Sequence, residues 1–311
     1  MNRPATSRGR VIRPLAPKKG HEIGEAAASG QEADALSPGL YIVAGPIGNL
    51  QDLSPRAARW LRCADLIACE DTRVTAKLLR AAGSDRPMQC YHDHSAPDVA
   101  EALLARMARE AVALVSDAGT PLISDPGYGL VRAARSRGIV VTTAPGPCAA
   151  IAALSLSGLP SDRFLFAGFL PPRPVARRRA LAELAGLRAT LIFYESGPRL
   201  AAMLADGHAM LGAREAVVAR ELTKLHETVE SGTLAELAAR FAAAEPAKGE
   251  IVVLIGPGSA AVASGADAVE TALSEALKSM KMGQAVASVS AALGAPRDDV
   301  YALALRLKGK A

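Results

Sequence analysis

Short apolar runs alternate with segments of helical periodicity over residues 40–157 of this 311-residue chain. Start and stop signals such as Ser54-Pro55 and Gly83 bound the helical segments. The apolar runs have the length of strands and lie at residues 40–44, 66–69, 111–116 and 139–143. Because parallel strands are joined by crossover helices, this alternation predicts a mostly parallel sheet covered by helices.

The same pattern restarts after a loop at residues 158–163 and predicts a second α/β lobe. The remaining C-terminal segment has helical periodicity without a strand pattern, which predicts a small helical appendage. The predicted strands of the second lobe lie at residues 164–169, 190–194, 216–220 and 251–255. The predicted domains are a disordered basic tail at 1–37, an N-terminal α/β lobe at 38–160, a second α/β lobe at 161–258 and a helical segment at 259–311.

The composition favours a cytoplasmic protein. The longest apolar runs are too short to span a bilayer, and the basic start of the chain lacks the apolar core of a secretory signal. The four cysteines form no C-x-x-C pair, which favours reduced thiols. His92 and His94 lie two residues apart without further ligands, so they predict a polar loop and no metal site.

The charge balance permits an anionic partner such as nucleic acid. The formal net charge is +5, while aromatic residues make up only 4% of the chain, which disfavours an aromatic platform for stacked bases. The C-terminal helical segment carries basic residues that form either a solvated face or a contact surface for RNA phosphates. These residues are Lys278, Lys281, Arg297, Arg306, Lys308 and Lys310.

The segment at residues 111–127 predicts a ligand-binding loop. Its apolar run ends abruptly at Ser116-Asp117 and continues into small residues, prolines and a second Ser-Asp pair. In open α/β sheets, ligands bind at the carboxyl ends of such strands. Charged residues also follow other apolar runs, at 70–73, 195–199 and 220–224. Together they predict a crevice between the lobes, where small-molecule sites are common.

Two glycine-containing turns do not match the common phosphate-binding patterns. The turn at residues 45–50 has neither the spacing of a dinucleotide site nor the ending of a P-loop. The turn at Gly256-Pro257-Gly258 contains a proline and is followed by no second strand. A dinucleotide-dependent oxidoreductase is therefore disfavoured.

Several motifs in a fixed order resemble the tetrapyrrole methylase superfamily. The motifs are Gly-Pro-Ile-Gly-Asn-Leu, Glu-Asp-Thr-Arg, Val-Ser-Asp-Ala-Gly-Thr-Pro-Leu-Ile-Ser-Asp-Pro-Gly-Tyr, Pro-Gly-Pro-Cys-Ala-Ala, Phe-Tyr-Glu-Ser and Ala-Arg-Glu-Leu-Thr-Lys. Within the superfamily the chain is most similar to the RsmI group of 16S rRNA (cytidine-2′-O)-methyltransferases. Two positions depart from the group: Gly45 stands where a Thr or Ser is usual, and Ser95 where an Asn is usual.

The resemblance implies a homodimer of bilobal α/β subunits of the tetrapyrrole methylase type, each holding S-adenosylmethionine between its lobes. The implied substrate is a cytidine ribose in the decoding region of 16S rRNA, within the 30S ribosomal subunit. Carried over position by position, the cofactor is expected to contact Pro46, Asp117, Ala118, Gly119, Thr120, Ala149, Ala150, Tyr194, Ala219, Arg220 and Gly249.

Methyl transfer to a ribose hydroxyl requires positioning and the removal of a weakly acidic proton, and it needs no metal. Our hypothesis from the strand ends is that Glu70, Asp71 or Glu221 is the general base. The hypothesis gives Arg73, Arg220 or Lys224 the role of holding phosphate or stabilising the alkoxide. The alternatives are a methylase of the same fold acting on a porphyrinoid or a modified protein residue, and a non-catalytic RNA-binding relative.

Overall fold

The computed structural model describes residues 35–92, 95–258 and 266–308. Most of the predicted tail lies outside the described residues, and so do Asp93 and His94 of the predicted polar loop. Within the part of the chain that is described, no helix is long and apolar enough to cross a membrane.

The first sheet consists of five parallel strands. In the order β3-β2-β4-β1-β5, neighbouring strands pair in parallel throughout, which places all their carboxyl ends at one edge. Every residue of β2 and β4 is buried, as expected for strands covered on both faces. The strands are β1 (Gly39–Val43), β2 (Leu66–Cys69), β3 (Met88–Cys90), β4 (Ala111–Val115) and β5 (Val141–Ala144). The parallel sheet was predicted, whereas β3 is a short edge strand that the sequence analysis missed.

Helices cover both faces of this sheet. One face is covered by α1 and α2, and the opposite face by α3 and α4. The Ser54 hydroxyl caps α1 by accepting the Ala57 N–H at 3.1 Å, and Gly83 ends α2 in the left-handed conformation. The helices are α1 (Pro55–Cys63), α2 (Thr72–Ala82), α3 (Pro97–Met107) and α4 (Tyr128–Ser136).

The second sheet is mixed rather than parallel. In the order β6-β7-β10-β8-β9, only β6 and β7 pair in parallel, and the other neighbours are antiparallel. The strands are β6 (Phe164–Phe169), β7 (Thr190–Ser196), β8 (Glu215–Arg220), β9 (Thr228–Thr233) and β10 (Glu250–Ile255). The sequence analysis missed β9 because this edge strand is polar and only partly buried.

The helices of the second half cover the two faces of this sheet unequally. One face carries α6 (Pro174–Leu184), α7 (Gly197–Leu211) and α8 (Leu234–Ala243). The sequence analysis also missed α8, although Thr233 and Glu236 form a capping box at its start.

The opposite face of the second sheet is covered by α5 (Ala149–Ser157). Ala153 and Leu154 of this helix pack with Ile192 and Val252 of the second sheet. The helix thus follows the last strand of the first sheet in the chain but covers the second. Its N-terminus consequently lies where loops from both halves meet.

Three C-terminal helices form a core of their own. Buried side chains such as Leu273, Val286 and Val300 pack together between α9 (Ala266–Ser279), α10 (Met282–Leu293) and α11 (Arg297–Lys308). The predicted fold class, two α/β lobes followed by a C-terminal helical segment, is therefore confirmed. The predicted domain boundaries stay predictions.

Candidate active site between the two sheets

A cavity of about 360 Å³ lies between loops of the first sheet and the end of the second. Its walls come from the loops after β1 and β4, the start of α5, the ends of β6 and β7, the loop after β8 and the start of β10. The lining residues are Ile47, Ala118, Gly119, Thr120, Ile123, Ser124, Asp125, Cys148, Ala149, Phe169, Tyr194, Glu195, Ser196, Leu222, Gly249, Glu250, Ile251 and Val252.

Most of the residues predicted to contact the cofactor lie in the walls of this cavity or directly behind them. Those in the lining are Ala118, Gly119, Thr120, Ala149, Tyr194 and Gly249. Those outside the lining are Pro46, Asp117, Ala150, Ala219 and Arg220. Their assignment to the cofactor stays a prediction in both groups.

Two of the predicted residues outside the lining support it through backbone hydrogen bonds. The Gly119 N–H donates to the Pro46 carbonyl at 3.1 Å, and the Ala150 N–H donates to the Tyr194 hydroxyl at 3.3 Å. The Thr120 hydroxyl, itself in the lining, donates to a carbonyl of the loop before α5 at 2.8 Å. The loops after β1, β4 and β5 are thereby held together.

The other three predicted residues are engaged away from the lining. Ala219 is buried within β8. Arg220 donates to the Thr228 hydroxyl at 3.2 Å and to the Lys248 carbonyl at 3.3 Å. Asp117 accepts the Asp71 N–H at 3.2 Å, and burial raises the pKa of its carboxyl.

The cavity loops contain strained backbone. Among the described residues, the four non-glycine residues with positive φ are Leu122, Ser124, Glu221 and Thr223. Two lie in the loop after β4 and two in the loop after β8, and both loops reach the cavity. Such conformations cost about 1–3 kcal/mol each and cluster at functional sites. The strain therefore coincides with the candidate site.

The predicted catalytic residues Glu221 and Lys224 brace the cavity wall formed by β10. Glu221 Oε1 accepts the Glu250 N–H at 3.0 Å and pairs with Lys224 Nζ at 2.9 Å. Lys224 Nζ also lies 3.1 Å from Glu250 Oε2. The hydrogen bond from Glu250 and the Lys224 ammonium lower the pKa of Glu221. Neither predicted residue lies in the lining, whereas Glu250 does.

The predicted residues Glu70, Asp71 and Arg73 lie at the end of β2, also outside the lining. Asp71 caps α2 and forms an ion pair with Arg73 at 2.7 Å. Hydrogen bonds from the side chain and backbone of Arg73 lower the pKa of Asp71 to about 2. Through Asp117, this turn contacts the loop after β4. The predicted charged residues at 70–73 and 221–224 thus contact loops of the cavity without lining it.

Three carboxylates line the cavity without a catalytic or cofactor-binding role assigned from the sequence: Asp125, Glu195 and Glu250. Glu195 belongs to one of the charged strand ends that predicted the crevice. Glu195 is buried and pairs with Arg199 at 3.1 Å, while its Oε2 has no hydrogen-bond partner. Burial raises the pKa of Asp125 to about 6, helped by the charges of Glu70 and Asp117 and opposed by a hydrogen bond with Ser116. The repeated Ser-Asp pair at 124–125 was the available sequence signal.

The lining fits S-adenosylmethionine chemically. Two lining glycines with positive φ, Gly119 and Gly249, leave room where a Cβ would meet neighbouring atoms. Apolar side chains such as Ile47 and Leu222 suit an adenosine, and the carboxylates of Glu195 and Glu250 suit the sulfonium and ammonium cations of the methionine part. A cavity of about 300–1,000 Å³ is usual for a small-molecule site. No cluster of three potential metal ligands occurs in the described residues.

Two family models match the chain. The model for Tetrapyrrole (Corrin/Porphyrin) Methylases matches residues 39–238, and the model for the RsmI C-terminal HTH domain matches residues 262–308. The first match covers the first sheet, strands β6 to β9 of the second sheet and most of the cavity lining, so the fold and site define a methylase of the tetrapyrrole methylase class.

Similar proteins identify the family of this chain within the class. The chain is 56% identical over 276 residues to "Ribosomal RNA small subunit methyltransferase I" of Erythrobacter litoralis, covering 89% of this chain and 98% of the relative. The protein of the same name from Escherichia coli O157:H7 is 50% identical over 228 residues, 72% of this chain and 80% of the relative. The chain belongs to the family of ribosomal RNA small subunit methyltransferase I. The predicted family, a methyltransferase that uses S-adenosylmethionine, is confirmed.

Solved structures support the fold independently. The methyltransferase CobJ matches with a TM-score of 0.54 at 19% identity, over 71% of this chain and 95% of CobJ. Diphthine synthase matches with a TM-score of 0.53 at 15% identity, over 70% of this chain and 89% of the synthase. At these identities the likeness concerns the fold alone.

Proposed function

We propose that this chain transfers a methyl group from S-adenosylmethionine to the ribose 2′-hydroxyl of a cytidine in 16S rRNA, in the decoding region of the small ribosomal subunit. The observation that carries the proposal is the cavity between the sheets, in a chain closely related to proteins named for rRNA methylation. An rRNA substrate within the ribosomal subunit implies a cytoplasmic enzyme.

The cavity residues position the cofactor and exclude water from the reacting atoms. S-adenosylmethionine supplies an electrophilic methyl group when it is bound. Backbone and apolar side chains of the loops after β1, β4 and β8 would hold the bound cofactor and orient its methyl group towards the acceptor hydroxyl. Such positioning accounts for a large share of the rate in transfer reactions.

The charged groups predicted from the sequence receive positioning roles in this proposal. Arg73 is 89% exposed on its side chain and can meet an RNA phosphate while it remains paired with Asp71. Lys224 and Arg220 hold the wall formed by β10. Asp71 and Glu221 have lowered pKa values and are therefore weak bases.

We also infer that the enzyme works as a homodimer. Apolar side chains of α5 and β6 are exposed in the single chain, namely Ile151, Leu156 and Phe164, and a second copy would cover them. Light scattering after size exclusion should give a molar mass of twice 32.1 kDa. A mass equal to one chain contradicts the homodimer without affecting the proposed reaction.

The test is a methylation assay with labelled S-adenosylmethionine and three acceptors: 30S particles, naked 16S rRNA and a porphyrinoid. The proposal requires label in 2′-O-methylcytidine after nuclease digestion of the RNA. Label in the porphyrinoid alone contradicts an RNA substrate. Calorimetry that detects no binding of S-adenosylmethionine contradicts an enzyme and favours a non-catalytic RNA-binding relative.

A further inference from the structure

The three carboxylates of the cavity lining differ in their partners. Glu195 is paired with Arg199 at 3.1 Å, and Glu250 is paired with Lys224 at 3.1 Å. Among the described residues, Asp125 makes no ion pair. It is therefore the lining carboxylate that is least committed to holding the protein together.

The loop around Asp125 is fixed by packing on both sides. Leu122 packs into the core beneath the first sheet. Gly127 has a φ of 126°, and a Cβ there would lie 2.9 Å from a methyl group of Leu114. On the other side, Ser124 lies against Gly168 near the end of β6. The backbone that carries Asp125 is therefore held in place, as the positioning of an acid–base group requires.

The surroundings of Asp125 favour proton acceptance near neutral pH. Glu70 from the end of β2 and Asp117 from the same loop both act on it, and so does the Ser116 hydroxyl. Tyr194 of β7 also interacts electrostatically with Asp125, and Glu195 and Glu250 of the second sheet line the same cavity. With a pKa raised to about 6, the carboxyl is ionised at pH 7 and yet more basic than an ordinary aspartate.

We propose that Asp125 is the catalytic base that removes the proton from the acceptor hydroxyl. This inference rests on the proposed function, because a ribose hydroxyl is an acceptor that must lose a proton. In the step, the 2′-oxygen forms a bond to the methyl carbon as the methyl–sulfur bond breaks. The electron pair of that bond stays on sulfur, giving S-adenosylhomocysteine, and the hydroxyl proton moves to a carboxylate oxygen of Asp125.

The test compares Asp125→Asn with the wild type in the 30S methylation assay, with S-adenosylmethionine affinity measured by calorimetry. Because an amide cannot accept the proton, kcat should fall by about 10²–10⁴-fold, the usual contribution of a general base. The dissociation constant for S-adenosylmethionine should stay within about twofold. Glu183→Gln, which removes an exposed carboxylate that pairs with Arg179 on α6, is the matched control and should behave as the wild type.

Two further measurements separate a base from a structural role. The wild-type kcat should rise with pH and level off above an apparent pKa near 6, and the residual activity of Asp125→Asn should lack this step. Asp125→Glu should recover part of kcat. The rival variant Glu70→Gln should lose less activity than Asp125→Asn.

The proposal is overturned if Asp125→Asn keeps wild-type kcat, or if its whole defect is a weaker affinity for S-adenosylmethionine. It is also overturned if Glu70→Gln abolishes the pH step and Asp125→Asn does not. If the wild-type enzyme transfers no methyl group to RNA, the proposed function is overturned, and so is the ribose acceptor on which this inference rests. A wild type that methylates RNA while Asp125→Asn is fully active overturns this inference alone.

Discussion

At the scale of single residues, the candidate site depends on where a side chain is absent as much as on where one is present. Gly249 has a φ of 94°, and a Cβ at this position would collide with the carboxylate of Glu221. That carboxylate in turn binds the Glu250 N–H and Lys224. Gly249 thus allows the backbone that lines the cavity to lie directly beside the Glu221–Lys224 ion pair.

Gly249→Ala should therefore destabilise the fold and weaken cofactor binding. The backbone strain alone should cost about 1–3 kcal/mol, and displacement of Glu221 adds to it. Urea unfolding and calorimetry with S-adenosylmethionine are the measurements, and an affinity loss of at least about tenfold corresponds to about 1.4 kcal/mol. Gly138→Ala is the matched control, because φ there is 72° but nothing lies within 4 Å of the added Cβ. Equal effects of the two substitutions on cofactor affinity would contradict this explanation.

The raised pKa of Asp125 also predicts how stability depends on pH. Its folded-state pKa of about 6 exceeds the ordinary aspartate value of 3.8, so the folded state holds the proton over an interval where the unfolded state has released it. Stability from this group is present below about pH 4 and is lost as the pH rises through about 6. Asp125→Asn removes this loss and should be more stable than the wild type at pH 8, by about 1–2 kcal/mol after allowance for solvent screening.

Thermal unfolding of both proteins at pH 5 and pH 8 measures this difference. The gain of the variant over the wild type should be larger at pH 8. If Asp125→Asn is instead destabilised equally at both pH values, Asp125 contributes packing or a structural hydrogen bond, and its ionisation does not lower the stability of the folded state.

At the scale of elements, a buried ion pair joins α6 to α7. Arg177 of α6 and Asp206 of α7 are each 4% exposed, and their charged atoms lie 2.7 Å apart. Arg178 approaches the other oxygen of the same carboxylate at 2.6 Å. Burial opposes ionisation of Asp206, but the hydrogen bonds from Arg178 and Arg177 outweigh it and lower its pKa. The stability that this carboxylate contributes is therefore lost as the pH falls towards its folded-state pKa.

Asp206→Asn should lower the free energy of unfolding by about 3–5 kcal/mol, because it leaves the buried Arg177 charge unpaired. Denaturant unfolding at pH 7 measures the change. Glu183→Gln breaks the exposed pair with Arg179 on the same helix and should cost less than about 1 kcal/mol. Equal losses of unfolding free energy in Asp206→Asn and Glu183→Gln would contradict a special contribution of the buried pair.

Three other elements, β9, α8 and α5, show which features of the fold could not be predicted from the sequence. The sequence analysis missed β9 because edge strands can be polar, and α8 because its apolar side chains follow that strand without a loop. No local sequence pattern indicates that α5 covers the second sheet. Pairing and packing partners are long-range properties, so they were not predictable at this scale.

At the scale of the whole molecule, the C-terminal helices form a core separate from the two sheets. Their matched family model describes an HTH domain. Lys278, Lys281, Arg297 and Arg306 are exposed there, while Lys310 and the side chain of Lys308 lie outside the described parts. We expect this surface to contact the phosphates of the RNA, because contacts between cations and phosphates supply the salt-dependent part of the affinity for a nucleic acid.

The double variant Lys281→Ala and Arg297→Ala should bind 30S particles more weakly, with wild-type affinity for S-adenosylmethionine. Because each phosphate contact contributes about one unit to the slope of log K against log salt, the slope should decrease by about two. Filter binding over a range of salt concentrations measures it. Arg109→Ala, an exposed cation after α3, is the control. An unchanged slope would indicate that the C-terminal charges form only a solvated face.

The sequence by itself determined the parallel first sheet, the family and the loops that enclose the cavity. These properties follow from local periodicity and from ordered motifs at strand ends, both of which are written along the chain. Only the tertiary structure decided which charged side chains reach the cavity. Asp125, Glu195 and Glu250 line it, whereas Glu70, Asp71 and Glu221 do not. The physical reason is that loop backbone conformation, including the left-handed residues Ser124 and Glu221, sets where each side chain points, and packing between distant segments selects that conformation.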